Sequence, residues 1–241
     1  MTQTRPAPAP TGPPAGPMRR TAVVAGVLYL VTFVTSIPTL ALYGPLKEDG
    51  EFVLGAGHTT GVVGGALLEV ALAVACVGTA VVLFPVVRRQ SETAALGFLA
   101  SRVVEAGLIL VGVVSVLSVL TLRDDVAGTA GADADSLVVA GQALVAVHDG
   151  TFLLGQSLMP VLSALCLGSA VYRAGLVPRV IPVVGLAGAP LLLASGVAIA
   201  CGVYEQGTAL AGLAALPIAA WELAFGIWLV VRGFRPSPLL G

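Results

Sequence analysis

Four ionisable residues, Glu69, Arg102, Glu105 and Glu222, lie in stretches otherwise apolar enough to cross a bilayer. Arg102 and Glu105 stand three residues apart, so on a helix they share a face and can pair. A charge at membrane depth costs about 2.5–3.5 kcal/mol on insertion scales, so such groups turn toward protein and partner one another. The chemistry open to them is electrostatic and acid–base: binding a cation, holding a proton, or tying helices together. Three carboxyls face one guanidinium, and arginine keeps its charge. One carboxylate is therefore expected to pair with Arg102, and at least one other to hold a proton, because an unpaired buried charge neutralises. Glu69 is favoured over Glu105 as that partner, since small residues around Glu69 leave a neighbouring helix room to approach.

A second group, His148, Asp149 and Gln156, follows in one later segment and reads as a polar entrance on the outer side. His148-Asp149 could activate a water. His58 is the only other histidine and stands alone in a loop, so no metal site is expected. Cys76, Cys166 and Cys201 lie far apart in apolar runs, without ligand or disulfide spacing, and read as small packing residues. No serine or cysteine motif identifies a nucleophile, so no catalytic residue and no cofactor are expected.

The elements that must position these groups are membrane spans. Of 241 residues, 57% are hydrophobic and 10% charged, with mean hydropathy +0.99. Soluble domains carry about 25% charged residues, so the bilayer is the expected partner. A net charge of −1 without a long basic run excludes nucleic acid. Six spans are predicted at about 21–42, 60–87, 93–122, 151–172, 183–203 and 208–231. The apolar run 136–172 exceeds the ~20 residues one span needs. It is split near His148-Asp149-Gly150, giving an extra interfacial helix before the fourth span. The whole is an all-α, polytopic transmembrane helix bundle over residues 19–235. Residues 1–18, rich in Pro, Ala and Gly, read as a disordered tail, with Met18 an alternative start. Residues 236–241 are a short carboxy-terminal tail.

Basic residues in the connections set orientation. Arg5, Arg19, Arg20, Arg88, Arg89, Arg173, Arg179, Arg232 and Arg235 fall on one side, and only Lys47 and Arg123 on the other. Both termini are thus expected in the cytoplasm, in the inner membrane of a bacterium. The Lys-poor, Ala/Val/Gly/Arg-rich composition would suit a high-GC genome. Stripes of small residues run along the charged faces: Gly65, Ala73, Cys76 and Ala80 beside Glu69, and Ala211, Ala215, Ala219 and Gly226 beside Glu222. Small faces let helices approach closely in lipid. Tyr29, Thr32 and Ser36 offer hydroxyls from the first span.

Several of these stretches together resemble one family. They are Arg20-Thr-Ala-Val-Val-Ala-Gly-Val-Leu-Tyr-Leu30, Phe84-Pro-Val-Val-Arg-Arg89, Ser101-Arg-Val-Val-Glu105 and Trp221-Glu-Leu223. The chain is similar to the bacterial domain of unknown function 4386 family over about Arg19 to Arg235. The resemblance implies a multi-span membrane protein without an established activity and supplies no catalytic residues. Gly150 departs from it, a bulkier side chain being expected there.

The preferred function is structural: Glu69, Arg102, Glu105 and Glu222 organise helix packing in a scaffold, sensor or partner subunit. The alternative is a proton- or cation-coupled transporter of a small molecule, using the same carboxyls; an intramembrane enzyme comes last. A solvated funnel reaching the charges would favour transport, and a closed bundle the structural role.

Overall fold

The structure, a computed structural model, describes residues 16–48, 50–55, 58–126 and 133–237. Among these the chain is all-helical, with no strand. The expected disordered tail falls mostly on residues 1–15, outside the described residues. Helix α1 (Pro17–Leu42) begins with proline in its first turn, where a missing N–H costs nothing. It is followed by the short α2 (Gly44–Glu48), a 3₁₀ turn at Phe52–Leu54, α3 (Thr59–Val87) and α4 (Glu92–Val126). After the connection come α5 (Ala134–Phe152), α6 (Met159–Ser163) and α7 (Ser169–Ala174), then α8 (Val180–Ala200) and α9 (Ala209–Val231).

Six helical stretches are long and apolar enough to span a bilayer, within a few residues of the expected boundaries. Valines and leucines such as Val34, Val74, Val114 and Leu213 are mostly exposed on their outer faces, as lipid-facing side chains should be. One boundary is corrected. The chain stays helical through His148-Asp149-Gly150, and α5, α6 and α7 form one helical run from Ala134 to Ala174. Glycine alone does not stop a helix. The irregularity comes later, where Pro160 cannot donate to the carbonyl four residues back. The chain answers with π turns at Leu153–Leu158 and Ala164–Gly168. In the first, the N–H of Met159 reaches back to the Leu154 carbonyl.

The spans pack as a ring in chain order. α1 lies against α3, α3 against α4, α4 against the α5–α7 run, that run against α8, α8 against α9, and α9 against α1. The closing seam depends on glycine. A Cβ on Gly26 would stand 2.6 Å from the Gly226 carbonyl oxygen, a distance no side chain survives. Gly185 likewise leaves room for the indole of Trp221, 2.4 Å from where its Cβ would lie. At the same end Arg19 donates to the carbonyls of Leu229 (3.1 Å) and Val230 (2.7 Å). Both lie in the last turn of α9, where carbonyls run short of helical donors; Leu229 also accepts from the Gly233 N–H at 3.1 Å.

Candidate functional site

The membrane-depth charges divide into two groups rather than one cluster. In the first, Arg102 on α4 is 2% exposed and points into the ring. Its Nη1 donates to Glu105 Oε2 at 3.0 Å, one turn along the same helix. Its Nη2 donates to Glu222 Oε1 on α9, across the centre. Cys76 Sγ on α3 accepts a long contact at 3.8 Å, so this cysteine is more than a filler. The guanidinium also lies over the rings of Tyr29 (5.2 Å) and Phe98 (5.9 Å), which supply cation–π attraction where water cannot solvate it. The expected preference for Glu69 as the partner of Arg102 is therefore corrected. Glu105 needs no helix approach at all, being already one turn away, and the small-residue face of α9 admits Glu222.

Glu69 belongs to the second group. It is 2% exposed on α3, and all of its expected stripe (Gly65, Ala73, Cys76, Ala80) is buried with it. Tyr43, just past the end of α1, donates to Glu69 Oε2 at 3.1 Å. Gln156 Nε2 lies 3.5 Å from Oε1, as does His148 Nε2. His148 is itself only 3% exposed, enclosed by neighbouring helices. Two glycines make the room: a Cβ on Gly65 would meet the Tyr43 ring at 2.6 Å, and one on Gly112 would meet Thr151 Oγ1 at 2.8 Å and His148 Cδ2 at 3.2 Å. The Tyr43 and His148 rings meet edge to face at 5.2 Å. Behind the histidine, Nδ1 lies 3.6 Å from Asp149 Oδ1, and Lys47 holds that same oxygen at 2.6 Å. Gln206 donates to the Asp149 carbonyl at 3.0 Å.

Burial pushes the Tyr43 phenol well above its ordinary value, and the Glu69 carboxylate raises it further. Tyr43 is thus a standing proton donor to Glu69.

A half-open cavity of about 230 Å³ lies between the helices, lined by residues of all six spans and reaching the exposed Ile37 at its edge. Thr32 and Ser36 come from α1, Leu72 from α3, Arg102 and Glu105 from α4, Leu192 from α8, and Ala215, Ala219 and Glu222 from α9. Gln156 and Pro160 complete it, so the π turn carries Gln156 into the cavity while its amide reaches Glu69. Such turns often occur where a helix is shaped for function. A larger vestibule of about 780 Å³, bordered by Lys47, Asp149, Tyr204, Glu205 and Gln206, lies at the Lys47 end of the bundle. Among the described residues no three His, Cys, Asp or Glu side chains are grouped so as to hold a metal ion.

Tyr43, Lys47 and Gln206 were not legible as site residues beforehand. One signal existed for the first two: their spacing of four puts them on one face if the turn after Leu42 stays helical, and the Lys47 N–H does donate to the Tyr43 carbonyl. The Ser101–Ser163 hydroxyl contact at 2.9 Å, joining α4 to α6, had no such signal.

The model of the family described as Domain of unknown function (DUF4386) matches residues 24–233. No curated protein and no solved structure matches the chain.

Proposed function

Starting from the fact that this chain belongs to the DUF4386 family of unknown function, we propose that it is a proton-coupled carrier of a small polar solute. The orientation proposed with it has both termini and the Arg88-Arg89 turn in the cytoplasm and the Lys47 end outside, from the distribution of arginines. The observation that carries this reading is the cavity between the helices: all six spans line it, and Arg102, Glu105 and Glu222 are among the lining residues. A bundle built only for rigidity gains nothing from such a space, because contacts are lost wherever atoms lack neighbours. Two carboxylates on one guanidinium leave one acid that can trade a proton for a solute cation, and Thr32, Ser36 and Gln156 offer neutral hydrogen bonds beside it. The ion pair also braces α4 against α9, so the structural part of these residues is included in the carrier reading.

The test uses Ala219→Phe, which fills the cavity from α9. Purified protein is screened for thermal stabilisation by amino acids, amines, sugars and short organic acids. It is then placed in liposomes containing a trapped pH dye. Wild type should be stabilised by at least one solute class and should move protons when that solute is added, and folded Ala219→Phe should do neither. If wild type and the folded variant respond alike to every solute, the carrier reading fails.

A further inference from the structure

We infer that Asp149, His148 and Glu69 form a proton relay running from the vestibule to the cavity between the helices, with Lys47 seated over its mouth. The inference rests on the carrier reading for its purpose, but not for its geometry. Asp149 borders the vestibule and is half exposed; Glu69 is sealed, and Gln156 beside it lines the cavity. Between them lies His148, whose two ring nitrogens face the two carboxylates at 3.6 Å and 3.5 Å. The Nδ1 atom is buried and has no hydrogen-bond partner among the described residues, so its lone pair is open to a proton. Each gap is slightly longer than a hydrogen bond, and small side-chain movements close it; catalytic hydrogen bonds are often long in resting structures.

The transfer balances without a further reagent. A proton from vestibule water binds a carboxylate oxygen of Asp149 and passes to His148 Nδ1, forming an N–H bond there. The Nε2–H bond then breaks toward Glu69 Oε1, leaving a neutral imidazole and a carboxylic acid. Glu69 releases its proton to water held at Gln156, from which Glu105 or Glu222 accepts it. The imidazole is left as the Nδ1–H tautomer and resets by turning so that both nitrogens meet water on one side, Nδ1 giving its proton up there and Nε2 taking one.

Among the described residues, Tyr43, Lys47 and Glu205 are the charged or titratable groups set against this path with a part in it, while Tyr204 at the vestibule bonds Ser195 instead. Tyr43, packed edge to face on the imidazole, orients the resting ring and donates to the other oxygen of Glu69. Lys47, from α2, pins Asp149 and opposes a cation at the mouth. Glu205 borders the vestibule and favours cations there.

The experiment is a pH jump on the full chain in detergent, followed by time-resolved infrared difference spectroscopy. It reads the carboxylic-acid band that Glu69→Gln removes. In wild type this band should rise after acidification. In His148→Gln it should rise about a hundredfold more slowly, as expected for loss of a positioned proton-transfer group, and reach the same final amplitude. Asp149→Asn, altering a half-exposed side chain, should slow the band as well and serves if His148→Gln does not fold. Lys47→Ala should speed it. Equal rates in wild type and the folded relay variants overturn the inference, and so does a wild-type spectrum with no Glu69 band. Transport in liposomes separates the two ideas. A Glu69 band that depends on His148 in a protein that moves no solute keeps the relay and rejects the carrier; solute-coupled proton movement with rates unchanged by His148→Gln does the reverse.

Discussion

Arg102 on α4 and Glu222 on α9 are joined across the bundle although their helices are not neighbours in the ring. The bond therefore does something no adjacent-helix contact can do: it fixes the width of the cavity that both residues line. Removing the arginine should leave two acids facing each other in a site poor in water. Losing one partner of a buried pair costs about 3–5 kcal/mol, so Arg102→Ala should unfold far more readily in detergent. Glu222→Gln should restore part of the loss, Glu105→Gln a smaller part, and Glu69→Gln none. Unfolding of the single and double variants measures this as non-additivity. Rescue by Glu69→Gln alone would contradict the two-group arrangement.

The α1–α9 seam should be intolerant of one methyl group. Gly26→Ala would press a Cβ on the Gly226 carbonyl oxygen, backbone that cannot step aside. Overpacking of this kind costs about 1–3 kcal/mol. Gly64→Ala, with nothing within 4 Å of the new Cβ, should be neutral or slightly stabilising. Thermal melts of the two variants side by side check the contrast.

Alkaline pH should act through Tyr43. Its folded-state value is raised by burial first and by Glu69 second. The stability linked to its proton is complete below the ordinary tyrosine value of about 10 and falls as pH rises beyond it. Tyr43→Phe lacks the hydrogen bond to Glu69 and should be less stable at neutral pH. Its disadvantage should shrink above about pH 10, because only wild type then has a buried phenol to ionise. A gap that stays constant from neutral to strongly alkaline pH would show that Tyr43 is not the group responsible.

Topology follows from the arginines. Reporter fusions in the Arg88-Arg89 turn and between Arg173 and Arg179 should read cytoplasmic, and a fusion after Arg123 should read external. A cytoplasmic signal after Arg123 would invert the orientation and with it the side from which the relay takes protons.

The spans were legible because charged residues bracket apolar runs: Arg88-Arg89 closes α3 and Glu205 precedes α9 within a few residues of where the helices end and begin. That Arg102 and Glu105 can pair was legible too, since spacing on one helix is a property of sequence, although the sequence reading preferred Glu69. The partner of Glu69 was not. Splitting the long apolar run at His148 hides its neighbours, whereas the unbroken helix sets it against Glu69 on α3. Nor does sequence state which helix faces which across a cavity, so Glu222 could be seen as buried but not as the residue that reaches Arg102. Such pairings come from how the ring closes, a property of all six spans at once.

That closure bears on how the protein is made. Consecutive helices are neighbours, so each interface but one can assemble as the chain leaves the translocon. The exception is the α1–α9 seam, which waits for the last helix to be synthesised. Until then Arg102 lacks Glu222, and the glycine face of α1 is open to lipid. A chain stalled before α9 would be held in the bilayer with Arg102 paired to Glu105 alone and with an unsealed edge.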